Sequence, residues 1–186
     1  MNQWSIRKKN ILNKNCEPHI SHTALINPKA EVSGKVFIGE NVSIGKSKIL
    51  AKKNQNIHIG KESIIKDCVL LNTEENNLDS SEPEIKKLRD LFIGSNVFIS
   101  SEVSVYGPTI ISDRVFIGIG STIINSKIGD GCIIEDQAIV KNIVVPPDTF
   151  IPSKSIVDSV QRLNEIILNN NQNNTCELYY LSKATS

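Results

Sequence analysis

The stretch IGSNVFISSEVSVYGPTIISDRVFIGIGSTIINSKIGDGCIIEDQAIV, residues 93–140, decides the fold. An apolar residue opens every sixth position: Ile93, Ile99, Val105, Ile111, Ile117 and Ile123, then, after one five-residue step, Ile128, Ile134 and Val140. Four residues after most of these openers stands a small or β-branched side chain: Val97, Val103, Thr109, Val115 and Ser121, then Cys132, Ala138 and Val144. A period of six fits neither an amphipathic helix nor the plain alternation of a flat strand. It fits a short strand and a tight corner with the opener pointing inward, and three such units close a triangular coil of about eighteen residues. Gly94, Asn96, Gly118, Gly120, Gly129, Asp130 and Gly131 then read as corner residues that tolerate unusual backbone angles. The expectation is an all-β chain wound as a parallel β-helix.

The repeat extends towards the N-terminus through Ile20, Ile26, Val32, Ile38, Ile44 and Leu50, pauses over residues 52–56, and resumes at Ile59, Ile65 and Leu71. Grouped in threes, these hexads give six coils opening at Ile20, Ile38, Ile59, Ile93, Ile111 and Ile128. Residues 1–18, with Arg7, Lys8 and Lys9, have no period and read as a flexible or surface-bound arm. Residues 72–92 form one long polar insertion with a short helix over 82–91, of a length that marks a functional edge. Pro146-Pro147 stops the coil, and Phe150-Ile151-Pro152 leads out of the prism. Ile156, Val160, Leu163 and Ile167 follow at helical spacing, which predicts a terminal amphipathic helix lying against a prism. The organisation is therefore an arm (1–18), a β-helix (19–153), a C-terminal helix (154–170) and a tail (171–186), whose apolar knot Leu178-Tyr179-Tyr180-Leu181 suits a docking peptide.

Composition narrows the function. At 186 residues, 39% hydrophobic and 22% charged, the chain fills one domain, and an aromatic content of 5% suits a narrow prism of Ile and Val. A net charge of +1 supplies no steering field for nucleic acid or an anionic membrane. Without a long apolar run or a signal-peptide core, the expectation is a cytoplasmic protein with no membrane insertion. Cys16, Cys68, Cys132 and Cys176 are too scattered for a metal knuckle, and Cys68 and Cys132 read as reduced, buried filler rather than nucleophiles.

The coil grouping places Asn72 and Tyr106 at the same corner position of consecutive coils, about 4.8 Å apart, with Ala51 in the same column below. Ser101 belongs to a second hexad and points from another edge, so it meets that pair only across a subunit contact.

From about residue 20 to 157 the chain resembles the γ-class carbonic anhydrases, including the γ-carbonic-anhydrase-like domain of cyanobacterial carboxysome assembly proteins. The resemblance is densest in Tyr106-Gly107-Pro108, Val115-Phe116-Ile117-Gly118, residues 121–129 (STIINSKIG) and residues 145–153 (VPPDTFIPS). It implies a left-handed parallel β-helix, a homotrimer and a zinc site at each subunit interface. In that family three histidines hold the zinc, two from one chain and one from its neighbour. Carried over, they fall on Asn72, Ser101 and Tyr106, so all three ligands are replaced. The family's Arg-x-Asp motif falls on Ala51 and Lys53, its glutamine on Lys66, and its neighbouring aspartate is kept as Asp67.

Zinc hydration chemistry needs imidazole or anionic ligands and an open position where bound water ionises near pH 7. An asparagine amide is a weak ligand, and Ser and Tyr would have to lose protons of high pKa. The chain's His19, His22 and His58 all precede the site and have no metal-ligand spacing. Their position also argues against the hexapeptide-repeat acyltransferases, which resemble this chain in repeat but use a later histidine as general base. Glu102 is the nearby base candidate, and a solvated corner carboxylate is the plainer reading. The expectation is a non-catalytic, homotrimeric scaffold or binding module with no cofactor, linked to a bicarbonate-handling or carboxysome assembly. Its protein partners would dock on the sheet faces, helix or tail. A residual carbonic anhydrase with a non-standard site is the first alternative and an acyltransferase the second. The sequence shows no copy of the further domains that bring Rubisco to carboxysome assembly proteins, which suits a lone paralogue.

Overall fold

The computed structural model describes residues 17–73 and 89–173. The chain winds through coils of three short strands. The first holds β1 (His19–Ile20), β2 (Leu25–Ile26) and β3 (Glu31–Ser33), and the second β4 (Lys35–Ile38), β5 (Ser43–Ile44) and β6 (Lys48–Leu50). The third holds β7 (Asn56–Ile59), β8 (Ile64–Ile65) and β9 (Leu70–Asn72), and the fourth β10 (Leu91–Ile93), β11 (Phe98–Ile99) and β12 (Ser104–Tyr106). The fifth comprises β13 (Thr109–Ile111), β14 (Phe116–Ile117) and β15 (Thr122–Ile124), and the sixth β16 (Lys127–Ile128), β17 (Ile133–Ile134) and β18 (Ile139–Lys141). The last is β19 (Val144–Val145), β20 (Phe150–Ile151) and β21 (Ile156–Val157), followed by α1 (Val160–Asn173). First strands stack into one seven-stranded sheet, second strands into another and third strands into a third, all parallel. We call these the first, second and third faces.

The inward positions are those read from the period. Ile93, Ile99, Val105, Ile111, Ile117, Ile123, Ile128, Ile134 and Val140 are all fully buried. Each such side chain contributes roughly 1.5–3 kcal/mol by leaving water. Two details differ from the sequence reading. The second coil takes a five-residue step, so Ile49 rather than Leu50 points inward and pairs with Leu71, while Leu50 pairs with Asn72. The coils number seven, not six, because Phe150–Ile151 pairs with Ile133–Ile134 and Ile156–Val157 pairs with Ile139–Val140. Pro146 and Pro147 do not end the ladder: they sit on an exposed corner, where the coil-to-coil bond is donated by Asp148 N–H to Asp130 O at 2.8 Å.

The corners impose a left-handed backbone on whichever residue falls there. Asn96 (φ 57°), Glu102 (64°), Arg114 (55°), Gln137 (60°) and Cys68 (60°) all adopt it, as do Gly120 and Gly131. Gly94, Gly118 and Gly129, expected to serve backbone freedom, are required for another reason: a Cβ there would collide with the corner of the next coil, at Asp113, Asp136 and Pro147 respectively. Cys68 is exposed on its corner rather than buried filler, whereas Cys132 is buried as expected.

The insertion leaves the third face after Asn72 and returns at Arg89, and Leu91 opens β10 rather than closing a helix. Residues 82–88 of the expected helix, Cys16, Cys176 and the apolar knot of the tail lie outside the described residues. At the C-terminal end, Ile156 is an exposed strand residue, and α1 begins after Ser159, whose Oγ accepts Arg162 N–H at 3.4 Å. Leu163 is buried, and Ile166 and Ile167 are half-buried against the same core. Among the described residues no helix is long and apolar enough to cross a membrane.

The corner geometry gives a paired expectation. Arg114→Gly removes a strained left-handed residue and is expected to raise stability by about 1 kcal/mol, whereas Gly118→Ala lowers it. Thermal and urea unfolding of both variants check the signs, and a destabilised Arg114→Gly would contradict the assigned corner.

Candidate functional site

Alternation along β9 turns Leu71 inward and leaves Leu70 and Asn72 on the outer surface. Asn72 pairs with Tyr106 on the coil above and Leu50 below, and Tyr106 pairs with Ile124. The expected adjacency of Asn72 and Tyr106 is therefore present, whereas Ala51 falls one residue out of the column. Although it faces outward, Asn72 is only 7% exposed. Beyond the strand, Gly107 N–H donates to Asn72 O at 2.8 Å, and Thr73 Oγ1 accepts Lys52 N–H at 2.8 Å. Ala51 packs half-buried against the core, and Lys53 is exposed in a turn.

Lys66, Asp67 and Ser101 lie at the opposite end of the third face, on the corner that leads into it. Glu102 N–H donates to Asp67 O at 3.1 Å and Gly120 N–H to Ser101 O at 3.1 Å, so Asp67, Ser101 and Ile119 stack on successive coils of one corner. Within one chain the strands of the third face separate this group from Asn72 and Tyr106. The structure thus brings the five positions together as two half-sites, not one.

Asp67 has a structural task. Its Oδ1 accepts Lys46 N–H at 2.6 Å, as Asp113 Oδ1 accepts Ser95 N–H and Asp136 Oδ1 accepts Ile119 N–H, both at 2.7 Å. In each case the carboxylate overhangs a glycine of the coil below: Gly45, Gly94 and Gly118. Retention of the aspartate is thus explained by the corner alone. Lys66 accepts Ser47 Oγ–H on its carbonyl at 2.6 Å and holds its ammonium 5.5 Å from the Phe98 ring centroid.

The donors do not suit zinc. Asn72, Ser101 and Tyr106, the positions onto which the resemblance carries the zinc ligands, offer an amide, a hydroxyl and a phenol, with no imidazole or carboxylate among them. Among the described residues no group of three His, Cys, Asp or Glu side chains converges to hold a metal. His19 and His58 lie on the first face, stacked on either side of Phe37 at 5.1 and 4.6 Å between ring centroids, and His22 is exposed on a corner. Burial pushes the Cys132 thiol up to about 11, and its Sγ donates to Pro146 O at 3.0 Å, so it is no nucleophile at neutral pH. Glu102 is exposed on its corner.

The aromatic ladder of the first face, His19, Phe37, His58 and Phe92, went unnoticed in the sequence, as did the pair Phe98 and Phe116 on the second face, 5.5 Å apart. The signal is present: each ring immediately precedes an inward Ile and so must point outward.

Comparison with known proteins now bears on the site. No family model matches the chain. The carboxysome assembly protein CcmM of Nostoc sp. is 30% identical over 151 residues, covering 81% of this chain and 27% of that protein. A carbonic anhydrase of Methanosarcina thermophila is 30% identical over 150 residues, covering 76% of this chain and 61% of that protein. Over most of its length the chain is thus similar in sequence to a carboxysome assembly protein and to a carbonic anhydrase. The mitochondrial γ-carbonic anhydrase 1 of Arabidopsis thaliana is a further relative, 29% identical over 140 residues. The chain spans less than two thirds of the length of each of these relatives. Among solved structures, a putative acetyltransferase of Bacillus cereus has a TM-score of 0.64 at 22% identity, covering 91% of this chain and 95% of that one. That likeness establishes the left-handed β-helix fold and nothing about activity.

If the Asp67 carboxylate serves the corner, Asp67→Ala and Asp136→Ala should cost about the same, on the order of 1 kcal/mol, each lowering the melting temperature by roughly 2–4 °C. An Asp67→Ala protein as stable as wild type, beside a weakened Asp136→Ala, would return Asp67 to a purely chemical role.

Proposed function

We propose that this chain is a non-catalytic γ-carbonic-anhydrase-like module that assembles as a homotrimer and binds protein partners in a bicarbonate-handling, carboxysome-type assembly. The observation that carries the reading is the column around the ligand position: Leu50, Asn72, Tyr106 and Ile124 in register, apolar above and below, with no side chain that binds zinc well at neutral pH. Relationship to both a carboxysome assembly protein and carbonic anhydrases supports the assembly context. The homotrimer is supported by the separation of the two half-sites, since a second copy is needed to bring Ser101 and Asp67 of one chain beside Asn72 and Tyr106 of another.

The test is the zinc content of purified, never-chelated protein, with carbon dioxide hydration assayed on the same sample. Less than about a tenth of a zinc per chain and no hydration above buffer are expected; one zinc per chain with activity would overturn the reading. A triple variant, Asn72→His with Ser101→His and Tyr106→His, is expected to acquire about one zinc per chain while remaining trimeric by light scattering. Failure of that variant to bind zinc, in a protein that still folds, would show that the half-sites do not meet between subunits.

A further inference from the structure

Two columns of outward residues border the third face, and the half-sites are only part of each. Along the edge where that face ends, Asn72, Tyr106, Ile124 and Lys141 stand on the third to sixth coils in backbone register. On the corner where it begins, Asp67, Ser101, Ile119 and Asp136 stand on the same four coils, joined as Glu102 N–H donates to Asp67 O, Gly120 N–H to Ser101 O and Gln137 N–H to Ile119 O. The fifth coil has an apolar residue in both columns: Ile119 is 49% exposed and Ile124 half-buried. The sixth coil has opposite charges, Lys141 on the edge and Glu135 with Asp136 on the corner. One oxygen of each carboxylate is engaged within the chain: Asp136 Oδ1 accepts Ile119 N–H at 2.7 Å, and Glu135 Oε2 accepts Ser153 N–H at 3.1 Å and Oγ–H at 2.9 Å. Among the described residues Lys141 has no ion-pair partner.

We infer that these columns are the two sides of one contact between copies of this chain, closed at the sixth coil by Lys141 of one copy against Glu135 and Asp136 of the next; the inference rests on the homotrimer reading above. Rotation about an axis parallel to the prisms carries each coil to the same height in the next copy. The meeting of Asn72 and Tyr106 with Asp67 and Ser101 at the third and fourth coils therefore fixes what meets above them. One coil up, Ile124 lies against Ile119. Two coils up, about 10 Å along the axis, the Lys141 ammonium meets the two carboxylates. A slip of one coil would set Lys141 against Ile119 in one direction, or Ile124 against Asp136 in the other, so the order of side chains along the columns also selects the register of the subunits. One coil below the half-sites the columns carry Leu50 and Lys46, which offer no opposite charges. The electrostatic attraction of these two columns is concentrated at the sixth coil.

Sedimentation equilibrium of the full-length chain tests the contact. Lys141→Glu is expected to raise the dissociation constant of the trimer at least about tenfold, with an unchanged far-ultraviolet circular dichroism spectrum because Lys141 faces away from the core. Adding Glu135→Lys to that variant swaps the charges and is expected to recover much of the affinity; a double variant no tighter than Lys141→Glu alone would overturn the pairing. Ile119→Asp reads the same contact from the other column, at a position already exposed in the single chain, and is expected to weaken the trimer in the same way. A wild-type trimer that both Lys141→Glu and Ile119→Asp leave intact overturns this inference while the homotrimer stands on another surface. A wild-type chain that sediments as a monomer overturns the homotrimer reading itself.

Discussion

The ladder of backbone hydrogen bonds between consecutive coils sets the terms for every other part of this molecule. On the second face Ser43 N–H donates to Ser63 O, Ile64 to Val97 O, Phe98 to Val115 O, Phe116 to Cys132 O and Ile133 to Thr149 O, all between 2.8 and 3.0 Å. No coil satisfies its own backbone, and each relies on its neighbours to do so. That dependence holds the coils in register, and register places one inward side chain directly over another. The inward columns must then be uniform in size, which explains the run of Ile and Val and the scarcity of rings inside. It also explains why corner glycines matter: Gly94 and Gly118 are set by clearance to the coil above, a constraint that the ladder spacing creates.

Because register is so strictly imposed, most of the fold was legible from period alone. Three places were not, each for a physical reason. The five-residue step before Ile49 hid behind Leu50, since both residues are apolar and only strand pairing tells which faces inward. The last coil was masked by Pro146-Pro147, because a proline pair ordinarily ends a ladder; on a corner, where neighbouring residues supply the coil-to-coil bonds, proline removes nothing. The helix stripe was drawn one element too early at Ile156, since a strand residue and a helix residue can share a spacing of four by coincidence.

The site was legible in a different way. The adjacency of Asn72 and Tyr106 follows from counting hexads and is present in the register. The separation of Ser101 and Asp67 from that pair also follows from counting, since second and third hexads occupy different edges. What counting could not supply was the task of Asp67, which becomes visible only when Lys46 of the previous coil is seen beneath it. Asp113 does the same work on a different corner, and Asp136 does it two coils beyond Ser101 on the corner that Asp67 shares, so the corner alone accounts for the carboxylate.

The scaffold separates folding from function along the pleat. Inward residues fix the prism, while outward residues such as Asn72 and Tyr106 can change with little effect on it, because the ladder bonds run between backbone groups. Outward residues that remain apolar then call for an explanation other than folding. The rings of Phe37, stacked between His19 and His58, of Phe92, tilted against His58, and of Phe98, stacked on Phe116 and lying by Lys66, contribute nothing to the interior of the prism. Stacking leaves Phe37, Phe98 and Phe116 half-buried, and Phe92, at the end of its ladder, is exposed at 45%.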